Sequence, residues 1–218
     1  MNSQLEKAEL PTPKKMKLEK EQIIPLPNGG DSSILYCERI PDDICMAKDV
    51  FEEIVSQCPK EKNRVVVFNK EFFPERRFES YGRNYNFSQE EHAPPQKPLH
   101  PFIQKLLNWV CEYSGFNYQQ ILINWYLDGK AGIGKHSDDT RQLVPNSDIY
   151  SFSFGATRKF VVTHKKGTKI YKKEFQLPNN SLLIMQGEMQ AHFNHEILKQ
   201  ENKIIGPRIN VTFRLFKE

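Results

Sequence analysis

The stretch RINVTFRLF, residues 208–216, decides how this chain folds. Residues 208–215 alternate strictly. Ile209, Val211, Phe213 and Leu215 fall on one side, and Arg208, Asn210, Thr212 and Arg214 on the other, because successive side chains of a strand point to opposite faces. Working back along the chain, five more segments have the same short, apolar, β-branched or aromatic character: ILINWY (121–126), IYSFSFG (149–155), RKFVVTH (158–164), KIYKKEFQL (169–177) and SLLIMQ (181–186). Turn residues separate them, as expected for consecutive strands. Before residue 121 the period changes. Ile44, Ala47, Val50, Phe51, Ile54 and Val55 recur at helical spacing behind an Asp cap, which predicts a helix from about Asp42. Pro101 is a favourable first-turn residue and opens a second helix that buries Phe102, Ile103, Leu106, Leu107 and Val110. Between the two, VVVF (65–68) reads as a strand, and residues 69–98 read as a long irregular segment rich in Pro, Arg and aromatics, of the kind that often carries function. Two helices followed by a run of strands predict an α+β chain, a β-sandwich or jelly roll with helices packed on one side, and of the two the double-stranded β-helix (jelly roll) is the expectation. The domain is expected over residues 34–218. Residues 1–33 are polar with Pro, Gly and mixed charge, and a disordered tail is expected there.

Length and composition narrow the classes. The chain has 218 residues, enough for one domain with a sizeable core. No apolar run approaches the roughly 18 residues of a membrane span, and the first twenty residues lack the apolar stretch of a secretory signal. The four cysteines, Cys37, Cys45, Cys58 and Cys111, are scattered, so free thiols in a reducing intracellular compartment are expected. A net charge of +4 permits a polyanionic partner without demanding one. Lys14, Lys15 and Lys17 form a KKxK cluster that favours the nucleus over the cytoplasm, although a solvated tail would look the same. The glycines of DGKAGIGKH (128–136) lack phosphate-loop spacing and read as a turn.

The chemistry begins at His136-Ser137-Asp138. In an extended segment positions i and i+2 point the same way, so this imidazole and this carboxylate can grip one ion. Two His and one carboxylate form the facial triad of ferrous iron, with positions left open for oxygen and a co-substrate. His164, His192 and His195 are the candidates for the second imidazole. An isolated HxD is more often a plain surface pair. The polar face of 208–215 is ordinarily a solvated one, but two arginines there could grip carboxylates through paired hydrogen bonds. Six strand steps at roughly 3.3 Å set Arg208 and Arg214 about 20 Å apart, too far for a shared task.

Taken together, HSDD, the later NHE and PRINVTFR resemble the HxD, distal His and RxNxTxR signatures of the AlkB family of iron- and 2-oxoglutarate-dependent dioxygenases. ILINWYLDG is similar to that family's N-x-Y segment, and SFSFGATRKFVVTHK, SLLIMQ and AHFNH resemble the strands between. The likeness runs in order from about Val65 to Phe216 and is nearest to the eukaryotic branch that repairs double-stranded DNA. It implies iron held by His136, Asp138 and His195, with His192 as the rival third ligand. It implies 2-oxoglutarate contacts from Asn124 and Tyr126, Arg214 on the distal carboxylate, Arg208 on the metal-proximal carboxylate and Asp139, and Asn210 and Thr212 on the same face. The implied activity is oxidative removal of methyl groups from bases such as 1-methyladenine and 3-methylcytosine, with oxygen consumed and succinate, carbon dioxide and formaldehyde released.

The implied partner is DNA, with RNA or a methylated protein as the alternative, and no membrane. A monomer is expected. A flipped base would lie between Phe87 and His136, with Tyr85 nearby and Asp139 facing its positive charge. Val67-Phe68-Asn69-Lys70 resembles a hairpin finger whose Phe68 fills the gap in the duplex, with Lys70 beside it. Phe68 could equally be a core residue, and the lesser reading of Phe87 is a core residue that anchors its loop. Three features depart from the family pattern: Thr140 where an acid is common, one extra residue between His195 and Arg208, and a shortened Tyr81–Tyr85 segment. They bear on substrate preference and leave the metal chemistry intact. A jelly roll that only binds nucleic acid would show a broken triad or a missing arginine, and every expected residue is present.

Overall fold

The structure is a computed structural model and describes residues 18, 20–67, 69–85, 95 and 97–217. Among them, thirteen strands and three α-helices follow in order. β1 (Glu21–Pro25) and β2 (Ser33–Cys37) precede α1 (Lys48–Ser56). β3 (Val65–Val67), β4 (Lys70–Phe72) and β5 (Arg77–Gly82) lead to α2 (Pro101–Ser114). Then come β6 (Gln120–Tyr126), β7 (Ile133–His136), β8 (Ile149–Gly155), β9 (Arg158–His164), β10 (Lys172–Leu177) and β11 (Ser181–Gln186). A single helical turn, α3 (Met189–His192), runs into β12 (Phe193–Ile197), and β13 (Arg208–Arg214) closes the order. A seven-stranded sheet has the order β1-β2-β11-β8-β13-β6-β5, a four-stranded sheet β10-β9-β12-β7, and β3 and β4 form a hairpin. All pairings are antiparallel.

The alternation of residues 208–215 is used on both faces. β13 lies between β6 and β8, so neither of its edges is free, and with both faces covered all of its residues are buried. Ile209, Val211 and Phe213 join Trp125, Phe152 and Phe154 and pack against Ile103, Leu106, Trp109 and Val110 of α2. Each large apolar side chain withdrawn from water there contributes roughly 1.5–3 kcal/mol. The Trp125 indole N–H donates to the Ile54 carbonyl at 2.9 Å, which docks α1 on the same layer. The polar face, Arg208, Asn210, Thr212 and Arg214, turns into a cavity of about 860 Å³ that residues of the four-stranded sheet also line. α2 begins as expected. His100 Nδ1 accepts the Phe102 N–H, Pro101 fills the first turn, and Gly115 at φ 76° ends the helix.

Three expectations are corrected. The polar tail expected over 1–33 contains ordered structure, because β1 pairs with β2 from Glu21↔Cys37 to Pro25↔Ser33, and Leu18 and Leu26 are buried. As an edge strand with one neighbour, β1 tolerates the Glu and Gln that made it read as tail. The helix expected from Asp42 is broken. Asp42–Ile44 is a 3-10 turn, and the α-helix begins at Lys48 because the Met46 N–H is taken by Asn180 Oδ1 at 2.8 Å. The irregular segment 69–98 holds β4 and β5, whose ladder partners β3 and β6 lie outside it. All four cysteines are free, and no helix among the described residues is long and apolar enough to cross a membrane.

Candidate metal centre

β7 and β12 are neighbours in register, with His136 directly opposite His195. Directly paired residues put their side chains on the same face of a sheet, and the two rings lie 4.3 Å apart at 55°. β7 ends at His136 and the chain turns, bringing Asp138 Oδ1 to 3.8 Å from both Nε2 atoms. The three candidate ligand atoms all lie within 4.8 Å of one another. Glycine makes the approach to β7 possible: a Cβ at Gly129 or Gly132 would fall 2.4 Å from the Gln200 carbonyl or 2.9 Å from that of Ile197. The turn expected from DGKAGIGKH is present at residues 129–130, ahead of β7, and is closely packed. Of the three candidates for the second imidazole, His195 is the one in the cluster. His164 is engaged by the Asn28 carbonyl at 3.1 Å and the Lys166 N–H at 3.0 Å, and His192 ends α3 outside the cluster.

The electrostatics suit a divalent cation. His136 Nδ1 lies 2.8 Å from the Gly134 carbonyl. A carbonyl only accepts, so Nδ1 carries the hydrogen and the Nε2 lone pair faces Asp138. Burial lowers the pKa of His136 and pushes that of His195 down to about 3, so both rings are neutral, as metal ligation requires. Burial alone would raise the Asp138 carboxyl, but the Arg214 guanidinium and the two imidazoles outweigh it and hold the pKa below its usual value. Arg214 Nε and Nη2 donate to Asp138 Oδ2 at 3.0 and 2.9 Å, which leaves Oδ1 turned to the two rings. The donor set therefore fits ferrous iron.

The order of the two arginines is the reverse of the expectation. Arg214, expected at the distal carboxylate, stands at the metal end. It is fully engaged there, with Nη1 donating to Gln120 Oε1 at 3.0 Å and its guanidinium 4.4 Å above the Tyr85 ring. Arg208, expected beside the metal and Asp139, lies at the other end of β13. It is buried against the Tyr126 ring at 4.9 Å, and Nη2 donates to Ser153 Oγ at 2.9 Å. Its Nε and Nη1 have no hydrogen-bond partner among the described residues. A buried guanidinium with two idle donors beside Tyr126 suits a carboxylate, and the same cavity reaches the metal end. Between the ends, Asn210 donates to Ser151 Oγ and the Phe152 carbonyl at 2.9 and 2.7 Å and accepts from Thr212 at 3.3 Å. Asn124 donates to Asn210 at 3.4 Å.

On the substrate side, Tyr85 is buried, and its hydroxyl accepts the Asp139 N–H at 2.9 Å. The Asp139 carboxylate is held by Arg141, which lowers its pKa. β3 and β4 form the expected hairpin, turning through Asn69 at φ 56°, and Lys70 is exposed on it. Phe68 and Phe87, like Lys14, Lys15 and Lys17, lie outside the described residues. Sequence reasoning missed Arg76, a buried cation that lines the cavity and bonds Asn124 Oδ1. It also missed Arg158. That residue stacks 5.6 Å from the Tyr126 ring and donates to the carbonyls of Asp128, Ala131 and Leu198 at 3.2, 2.6 and 2.7 Å. The alternation of 208–215 has no counterpart around either arginine.

A jelly roll with two imidazoles and one carboxylate at one end of its cavity, and a buried arginine at the other, defines a class. The chain belongs to the 2OG-Fe(II) oxygenase superfamily, whose profile matches residues 46–214, and iron(II) and 2-oxoglutarate are its metal and co-substrate. Within that class it falls in the AlkB family. It is 36% identical over 160 residues to DNA oxidative demethylase ALKBH2 of Mus musculus, covering 69% of this chain and 66% of the relative. It is 34% identical over 210 residues to the Bos taurus protein of the same name, covering 86% and 74%. To alpha-ketoglutarate-dependent dioxygenase alkB homolog 3 of Bos taurus it is 30% identical over 212 residues, covering 93% and 73%. The solved structure of OsALKBH1 shares the fold, with a TM-score of 0.55 at 16% identity, covering 89% of this chain and 100% of that one.

Proposed function

We propose that this chain removes methyl groups oxidatively from alkylated bases in DNA, of the 1-methyladenine and 3-methylcytosine type. One observation carries the reading: a single cavity joins the His136–Asp138–His195 cluster to the idle donors of Arg208, with the β3–β4 hairpin on its wall. The names of the ALKBH2 relatives support DNA as the substrate. In this reading His136, Asp138 and His195 hold iron. Arg208, with Tyr126, takes the far carboxylate of 2-oxoglutarate, and Asn124, Asn210 and Thr212 line the path between. Bound together, iron and 2-oxoglutarate supply oxygen activation, with succinate and carbon dioxide as by-products and the oxidised methyl group leaving as formaldehyde.

The chain's own residues orient and desolvate. Arg214 keeps Asp138 ionised and aims its free oxygen. Asp139 offers negative charge to a cationic base, which must compete with Arg141 for it. Phe72 and Phe73, 50% and 54% exposed on and just after the hairpin, suit contact with an opened duplex, beside the Phe68 and Phe87 roles expected from sequence. A nuclear place of work, suggested by Lys14, Lys15 and Lys17, belongs to the same proposal.

The test is formaldehyde release with iron and 2-oxoglutarate on matched methylated single-stranded DNA, duplex DNA and RNA. Release from DNA is expected. Release from RNA alone, or from none of the three, overturns the substrate assignment.

A further inference from the structure

Asp138 is the one ligand of the cluster that no strand holds, since β7 ends two residues before it. Its carboxylate is fixed by Arg214 at Oδ2. Its backbone is fixed by something else: the Asp138 N–H donates to the side-chain oxygen of Gln190 at 2.8 Å. Gln190 is itself held at its side-chain amide and at its backbone carbonyl. Nε2 lies 3.3 Å from Met185 Sδ, the backbone carbonyl accepts Lys165 Nζ at 2.8 Å, and the residue is 8% exposed. It sits on α3, the turn that runs directly into β12 and His195. The loop carrying one ligand is thus hung from the segment that launches another, across 52 residues of sequence.

We propose that Gln190 is a positioning residue of the metal centre, setting the distance of Asp138 from His195 by holding the Asp138 backbone from behind. The inference rests on the metal reading above. With Arg214 on Oδ2 and Gln190 on the N–H, Asp138 is restrained at both ends and presents Oδ1 at 3.8 Å from each Nε2. Without Gln190, an N–H buried beside the cluster loses its acceptor, and the loop must move to find another. Partners of this kind, which touch a ligand and never the metal, typically govern affinity by 10–100-fold.

The experiment is an anaerobic Co2+ titration of the metal-free full chain, followed by visible absorption, for the wild type, Gln190→Met and Gln190→Glu, with thermal melting of each. Met fills the space without an acceptor, whereas Glu keeps an acceptor oxygen in place. Gln190→Met is expected to bind Co2+ at least about tenfold more weakly, with altered absorption bands and a folded melting curve. Gln190→Glu is expected to restore binding to within about threefold, the small remainder of that same tenfold effect. Wild-type affinity and bands in Gln190→Met, or binding in Gln190→Glu as weak as in Gln190→Met, would overturn the role. If Gln190→Met does not fold, Gln190→Asn, one methylene too short to reach, replaces it under the same criteria. A wild-type chain that takes up no Co2+ sinks the metal reading and this inference with it, whereas the ratio between variants sinks this inference alone.

Discussion

The two ends of β13 carry the same residue in opposite states. Arg214 has a carboxylate, an amide oxygen and an aromatic face around it. Arg208 is just as deeply buried, yet among the described residues its Nε and Nη1 have no hydrogen-bond partner and no carboxylate pairs with it. A buried charge without a partner is costly, and a fold tolerates one where a ligand supplies the missing half. Arg214 therefore reads as part of the protein's own electrostatics and Arg208 as one half of a binding site. Side-chain identity does not separate the two; cross-strand neighbours do.

The largest effects are expected at the metal end. His136→Ala, Asp138→Ala and His195→Ala each should abolish 2-oxoglutarate turnover and Co2+ or Fe2+ uptake, measured by succinate formation and by metal titration. Retained turnover in His195→Ala would remove that residue from the triad.

The arginines come next and test the comparison directly. Arg208→Ala should raise the 2-oxoglutarate requirement by an amount equivalent to about 2–5 kcal/mol, with metal uptake nearly unchanged. Arg214→Ala should strand the buried Asp138 carboxylate, cost about 3–5 kcal/mol of stability, and weaken metal binding. If the two variants show each other's behaviour in 2-oxoglutarate and metal titrations, the roles assigned to the two ends are inverted.

A smaller effect is expected in pH. In the metal-free chain the His195 pKa of about 3 lies below its unfolded value near 6.5. The unfolded state then binds more protons between these values, so this contribution to stability is complete above about pH 6.5 and is lost as pH falls towards 3. His195→Leu should flatten that part of the curve in denaturant melts of metal-free protein, and an unchanged slope would contradict it. The smallest effect is expected for His192→Ala, which should leave turnover close to wild type because His192 stands outside the cluster.

What could be read in the sequence follows the range of each signal. The alternation of 208–215 and the helical spacing from Pro101 are local, and both appear as elements. His136 and Asp138 are two residues apart and could be paired by hand. His195 came from the family pattern, because only the β7–β12 register brings it opposite His136. The end of the cavity at which Arg208 and Arg214 each stand is hidden for the same reason: Asp138, Gln120 and Ser153 lie 76, 94 and 55 residues from their partners. β1 and β4 are hidden because edge strands and exposed hairpins carry mixed polar sequences, with no buried face to impose a period of two, and β5, an edge strand with a partly buried face, is hidden by Arg77, Glu79 and Ser80 among its apolar residues.

Arg158 ties the metal strands together in time as well as in space. β7 is a four-residue strand that, among the described residues, pairs with β12 alone, and the register between them slips after His195. Short edge strands of this kind open early. Yet one guanidinium bonds the carbonyls of Asp128 and Ala131 before β7 and of Leu198 after β12. Amide exchange in the two strands should therefore slow and quicken as one unit, so that the ring of His136 and the ring of His195 are lost to solvent in the same opening event.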